Sequence, residues 1–525
     1  VAAHGRNDGR QDLRFGFVLL FLTAPEPDIH PQGNPMTDQF SCPVQTQADP
    51  VSLVVFGATG DLAMRKIYPA LASLCRNQLL SHDTRILAVG RTDMDTEGYR
   101  NLLSDRLAGA VPASCMADLA PRVSYLRMDP EDPASARFLA LALNELDGGG
   151  KDRLFYLAVP PSAYIPLATA IGEAGLARQD EDRRVRIGVE KPFGRDLPTA
   201  RELDEVLHRY FRESQIFRID HYMAKETVQN VLLLRFANAL FEPVWNRRYI
   251  DHIRITAAED LGIGHRAGFY DQAGVLRDMF QNHMMMLLAL CAMEPPSLFD
   301  AELVRDERSK VFRALRPLDL ERLDEQLILG QYGPGMVDGK PVPGYLQEPG
   351  VRPDSTTPTF AWMKVYLDNW RWQGVPFHLC SGKRLAAKHT EITVQFKSVP
   401  VSMFRKTHGG AIPPNRLVIG IHPHEVVRLE VQTKGQGSRL CLQAQSMEFS
   451  YGAASGLGRL DDYAKVLLDC ITGDQTLFWR QDAVELCWGF LTPVLDRCDC
   501  AEDALPLHTY VAGGPGPKEA HRAAP

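Results

Sequence analysis

The sequence predicts an α/β domain on a parallel sheet, followed by a larger α+β domain on a mainly antiparallel sheet with helices on one face. Three observations lead there. Short apolar, β-branched runs alternate with helical patterns through the first part of the chain, the rhythm of βαβ units. Later strand-like runs follow one another closely with short connections, which favours antiparallel pairing. At 525 residues the chain also exceeds a single ordinary core.

Taken in order, residues 1–47 are rich in Pro, Gly, Asn and Gln and are expected as a disordered extension. Phe17 to Thr23 resembles a short signal core behind Arg10 and Arg14, but Pro25, Pro27 and Pro31 follow with no clean cleavage site. The sequence opens on Val1, and the favoured reading takes 1–35 as an upstream extension with Met36 as the start. Residues 48–225 are expected to form a dinucleotide-binding domain, with strands at 51–56, 85–89, 123–126, 154–159, 185–190 and 214–217. Residues 226–510 are expected to bind substrate and mediate oligomerisation. Their strands fall at 252–257, 361–367, 391–396, 417–421, 426–433 and 440–449, and their helices include 273–293 and 461–470. The Gly/Pro-rich stretch 330–358 reads as a long surface loop and 511–525 as a flexible tail.

Composition narrows the function. Hydrophobic content of 45% with 23% charge fits a globular domain rather than a disordered chain. A net charge of -7 argues against nucleic acid or an acidic membrane as the main partner, so an anionic ligand needs a local basic cluster. The apolar run 284–293 is half of the roughly 20 residues that span a bilayer. Ten cysteines lie scattered, mostly within apolar patterns, as expected of buried thiols in a reducing cytoplasm. Cys498 and Cys500 lack a second pair at metal-binding spacing, and no metal is expected.

Gly57-Ala58-Thr59-Gly60-Asp61-Leu62-Ala63 leaves a buried strand and opens a helix. Glycines there let a pyrophosphate approach backbone N–H groups, so the first domain reads as Rossmann-like, although the full GxGxxG spacing is missing. Coenzyme choice turns on the end of the second strand, where Arg91 suits a 2′-phosphate and favours NADP. Asp93, two residues on, keeps NAD open. Pro160, Pro161 and Tyr164 follow the fourth strand, and Glu190-Lys191-Pro192-Phe193-Gly194 ends the fifth, at the edge where ligands of such sheets bind. Lys191-Pro192 is a candidate cis bond, and Lys191 a candidate ligand for a sugar hydroxyl or phosphate.

Arg218-Ile219-Asp220-His221-Tyr222-Met223-Ala224-Lys225-Glu226 places a carboxylate, an imidazole, a phenol and an ammonium where a strand passes into a helix. Free N–H groups and the positive dipole end make that a seat for an anion. In 273–293, His283 falls on the apolar stripe. A lone histidine there is more often a satisfied core residue, but Asp220 and Asp278 supply carboxylates for it. Five residues of α-helix rotate Asp278 from His283 by about 140°, so the two are not expected to stack. An Asp–His pair is a usual general base for a hydroxyl proton, and with a coenzyme site it implies alcohol oxidation by hydride transfer.

Together, Gly57 to Ala63, Glu190 to Gly194, Asp220-His221-Tyr222, Arg235-Phe236-Ala237-Asn238 and Gln281-Asn282-His283 resemble the glucose-6-phosphate dehydrogenases, in order and spacing, from about Ser52 to Leu507. The resemblance implies an NADP-dependent oxidation of glucose 6-phosphate at C1 to 6-phosphogluconolactone, opening the oxidative pentose phosphate pathway. It assigns His283 as the base and Asp220 as its partner. His221 and Tyr222 would hold the phosphate; Lys191, Lys225, Glu259 and Asp278 the sugar; Lys383 and Lys388 would add cations. Gly57, Ala58, Thr59, Gly60, Asp61, Leu62, Lys66, Arg91, Tyr164 and Lys191 would line the coenzyme site. A cytoplasmic homo-oligomer, dimer or tetramer, is implied in the same way.

The chain departs from the family at Met223-Ala224, where Leu-Gly is usual, and at Met285 and Met286. Gly420, His422 and Cys380 stand where some relatives carry Arg or Gln, which weakens the case for a second, structural NADP site. An inactive sugar-phosphate sensor or assembly subunit on the same scaffold, and a dehydrogenase of another hexose, are the competing readings. The presence of His283 and Asp220 weighs against the first, and the converging cations against a free sugar.

Overall fold

The computed structural model describes residues 47–129, 132–148, 151–181, 183–404, 412–437, 441–450, 460–499 and 505–524. The expected extension lies outside them, apart from residue 47. The predicted strands are all present, within two residues at either end.

The first sheet contains β1 (Val51–Phe56), β2 (Arg85–Gly90), β3 (Val123–Arg127), β4 (Asp152–Leu157), β5 (Val185–Val189) and β6 (Ile216–Arg218). Its order is β3-β2-β1-β4-β5-β6, parallel throughout, the Rossmann arrangement. β1 is an unbroken apolar run because both faces are covered: Leu53 and Val55 enter one core, Val54 and Phe56 the other. The strand order reverses between β1 and β4. A crevice at their carboxyl ends is where such sheets bind ligands, and Gly57 and Pro160 lie there.

The second sheet runs β16-β15-β14-β13-β7-β12-β11-β8-β17. Its strands are β7 (Ile250–Ala258), β8 (Leu327–Gly333), β11 (Phe360–Val365), β12 (Phe377–Gly382), β13 (His389–Phe396), β14 (Arg416–His422), β15 (Val426–Lys434), β16 (Leu442–Ser450) and β17 (Leu507–Val511). Only β7 with β12 and β8 with β17 pair in parallel. A small hairpin, β9 (Gly335–Val337) with β10 (Lys340–Val342), lies outside it.

Two expectations are corrected here. The stretch 330–358 is not a free loop, since it begins inside β8 and carries the β9–β10 hairpin. Nor is the expected tail 511–525 loose over its described residues 511–524: β17 pairs with β8, and a helix covers Lys518–Ala523. One physical reason serves both. A Cβ at Gly330 would stand 2.6 Å from Pro517 Cγ and 3.1 Å from the His508 carbonyl. The glycine that reads as a loop signal therefore marks where the C-terminal segment lies against β8.

The long helix expected over 273–293 is also different. Gly274, at φ 60° and ψ 178°, breaks it. A π-helix follows over Leu276–Met284, and an α-helix over Met285–Ala292. Helices Asp462–Thr472 and Gln481–Asp499 return to the first sheet. Arg186 Nη1 donates to the Ile471 carbonyl at 3.0 Å, and Trp488 Nε1 to the Phe193 carbonyl at 2.7 Å.

Candidate active site

β6 ends at Arg218, and 220–225 form a turn before the helix Glu226–Phe236. Asp220 leaves that turn inward and is 3% exposed; His283, on the π-helix, is 1% exposed. Their contact, His283 Nδ1 to Asp220 Oδ1, is 2.5 Å. The Tyr222 backbone N–H donates to the same oxygen at 3.0 Å, and Trp479 Nε1 approaches Oδ2 at 3.5 Å. With Nδ1 committed to Asp220, the lone pair of a neutral His283 lies on Nε2.

Burial alone would raise the Asp220 carboxyl, but the adjoining His283, with its hydrogen bond, holds it well below the carboxylate range. Burial pulls His283 below its ordinary 6.5, and Asp220 opposes the fall. His221 is pushed well down, first by burial and then by His283. Both imidazoles are therefore neutral near pH 7. Tyr222 stacks on His283 with ring centroids 4.0 Å apart, and His221 meets His283 edge-on at 4.9 Å.

Lys191, Asp278, Lys383 and Glu259 form a chain of alternating charge. Lys191 Nζ donates to the Asp278 carbonyl at 3.0 Å and to its carboxylate at 3.3 Å. Lys383 Nζ pairs with the other Asp278 oxygen at 3.3 Å and with Glu259. Burial would raise Asp278, yet Lys191 and Lys383 hold it well down. The π-helix corrects the angular expectation for Asp278 and His283. Its i→i+5 repeat returns residues five apart to nearly the same face, and the two groups interact electrostatically. Lys191-Pro192 is cis.

Lys225 lies at the rim, 3.5 Å from Asp462 and 5.2 Å from the Tyr222 ring centroid. The helix after it has no side-chain cap at Lys225, and the Val228 N–H donates to the Lys225 carbonyl at 3.0 Å. Lys388 is exposed on the same side: burial, then Lys388 and Lys225, lower His422.

Five residues escaped the reading of the sequence. Tyr463 stacks on His221 at 5.9 Å while Lys66 lies 5.8 Å above its ring, so it touches both binding regions. Trp479 flanks Asp220. Tyr270 faces the Lys383 ammonium at 5.0 Å, and Tyr510 donates to the Lys383 carbonyl at 2.6 Å. Glu190, quoted only as part of a motif, is 7% exposed and accepts from Tyr156 Oη at 2.7 Å. Burial raises its carboxyl to about 7, against the pull of Tyr156 and Lys191. All but Glu190 come from segments whose local pattern carries no chemical signal.

Gly57, at φ +73°, makes the turn that leaves β1; a Cβ there would stand 2.3 Å from the Ala158 carbonyl oxygen. Bare backbone is thus required where a pyrophosphate would pass, and 61–62 open the following helix. Arg91 is exposed and, among the described residues, has no ion pair, whereas Asp93 pairs with Arg127 at 3.4 Å. Tyr164 is 1% exposed, packed beneath this edge within electrostatic reach of Glu190 and Tyr463. These residues fit a phosphorylated dinucleotide. Asp220, His221 and His283 also bring metal-ligand atoms within 4.8 Å of one another, but the His283–Asp220 contact is too short to admit an ion between the bonded atoms.

Residues 54–230 match the model of the glucose-6-phosphate dehydrogenase NAD binding domain, and 232–524 match that of its C-terminal domain. The chain belongs to the glucose-6-phosphate dehydrogenase family. It is 41% identical over 481 residues to a glucose-6-phosphate 1-dehydrogenase of Aggregatibacter actinomycetemcomitans, covering 91% of this chain and 96% of the relative. It is 43% identical to that of Mycolicibacterium smegmatis, covering 90% and 95%. A solved glucose-6-phosphate dehydrogenase in complex with glucose 6-phosphate aligns with a TM-score of 0.83 at 34% identity, covering 91% of this chain and 98% of that one. Membership in this family accounts for the pairing of a Rossmann domain with the nine-stranded sheet.

Proposed function

We propose that this chain oxidises glucose 6-phosphate at C1 to 6-phosphogluconolactone, with NADP as the acceptor. The observation that carries the reading is the buried His283–Asp220 contact of 2.5 Å, with the Lys191 ammonium near enough to act on both groups. His283 Nε2 takes the C1 hydroxyl proton, and Asp220 stabilises the imidazolium that forms. Lys191, Glu259, Asp278 and Lys383 orient the ring hydroxyls. His221, Tyr222 and Lys225 hold the phosphate, with Lys388 at the outer rim. Gly57, Ala58, Thr59, Gly60, Asp61 and Leu62 supply the turn for the coenzyme's pyrophosphate, with Lys66, Arg91, Tyr164 and Lys191 around it. When bound, NADP supplies the ring that accepts the hydride leaving C1.

His283→Asn should lower kcat by about 10²–10⁴-fold with the affinity for glucose 6-phosphate retained. Turnover within a few-fold of the parent would remove His283 from its role. We further propose a homo-oligomer that uses the outer edge of β16, where Met447 is 50% and Phe449 64% exposed. The free thiols Cys75, Cys115, Cys291, Cys380, Cys470 and Cys487 support a cytoplasmic location. No helix among the described residues is long and apolar enough to cross a membrane.

A further inference from the structure

We infer that Arg127 is a specificity-determining residue for the 2′-phosphate of the coenzyme, acting by neutralising Asp93. The inference rests on the NADP reading above and adds the residue that makes it hold in this chain. An acidic group at the end of the second strand of such a sheet ordinarily selects for free ribose hydroxyls and repels a phosphate there. Asp93 is such a group.

The topology brings an opposing charge to it. β2 and β3 are parallel neighbours, and Gly90 lies opposite Arg127 in register. Arg91 follows Gly90 directly, so both arginines arise at the same carboxyl edge. The turn between them is held from the β3 side: Tyr125 Oη donates to the Thr92 carbonyl at 2.8 Å, and the Met128 N–H to the Gly90 carbonyl at 2.8 Å. From there Arg127 Nη1 reaches Asp93 Oδ1 at 3.4 Å, with side-chain exposures of 62% and 86%.

A pair so exposed adds little to folding stability. Its consequence is local charge. Paired with Arg127, the Asp93 carboxylate is held toward β3; without Arg127 it is free to turn to Arg91 and occupy the cation that a phosphate would need. A dianionic phosphate distinguishes those states, whereas a ribose hydroxyl hardly does. Arg91 is then left as the cation that meets the phosphate.

The test needs no turnover. Calorimetric binding of 2′,5′-ADP and 5′-AMP would be compared in the parent, Arg127→Ala, Asp93→Ala and the double variant. Arg127→Ala should weaken 2′,5′-ADP roughly 5-fold, the scale of one close charge in water, and leave 5′-AMP within about 2-fold. In the Asp93→Ala background, the same substitution should cost almost nothing. The NADP-to-NAD ratio of kcat/KM should move in parallel. If the parent prefers 2′,5′-ADP but Arg127→Ala leaves that preference intact, the inference falls alone. It falls also if the full loss persists without Asp93, since Arg127 would then act on the ligand directly. A parent with no preference for 2′,5′-ADP would overturn the NADP reading and this inference with it.

Discussion

Among single residues, Asp220 and His283 are bound by opposing effects that give their pH behaviour a sign. Burial lowers His283 and Asp220 raises it back toward 6.5. With the neutral imidazole as the proposed base, kcat/KM should fall as pH drops through a value below that ordinary one. Asp220→Asn keeps the shape and removes the charge. It should lower kcat by about 10²–10⁴-fold and move the acid limb to still lower pH, because burial and Lys191 then pull on the imidazole against Asp278 alone. A limb that moved upward in a pH–rate profile would contradict the assignment. The pairing of Asp220 with His283 was legible in the sequence because such residue types are scarce inside apolar patterns. Trp479 and Tyr463 were not legible, since an aromatic residue in an apolar pattern is ordinarily core.

In the elements, helix type decides the geometry of the site. Leu276–Met284 is a π-helix, which brings Asp278 and His283 closer to one face than an α-helix would. No local signal marks that change, which accompanies the break at Gly274 and the bond from the Val275 N–H to the Pro358 carbonyl. Helix Asp462–Thr472 carries a cost of its own. Asp469 lies in its last turn, where the dipole end is negative. Burial and then Asp474 raise its carboxyl from 3.8 to about 8. Between those values the folded state holds a proton that the unfolded state has lost, so stability falls as pH rises through this window. Asp469→Asn should therefore raise Tm at pH 8.5, with the gain shrinking as pH falls toward 4. Equal gains at pH 8.5 and pH 5, read by calorimetry, would show that burial of its charge is not the cause.

At the scale of the molecule, the chain returns on itself to complete its site. Glu226 meets Lys465 at 2.9 Å and Lys225 meets Asp462 at 3.5 Å, so a late helix braces the turn that carries Asp220. β17 in turn braces Lys383 through Tyr510. Among the described residues no strand pairs with the outer edge of β16, an arrangement that proteins normally cover or blunt. Phe449→Lys should shift sedimentation toward a smaller species while leaving the circular dichroism spectrum intact. Unchanged assembly would place the interface elsewhere.

The strand runs, the glycine turn and the acidic, basic and imidazole residues of the site were set by sequence alone, because periodicity and residue chemistry are local properties. Tertiary structure alone decided that 327–333 is an inner strand, that the C-terminal segment is ordered, that 276–284 winds as a π-helix, and that Arg127 faces Asp93. Each of these depends on a neighbour distant along the chain, whose packing outweighs the local preference of the residues it touches.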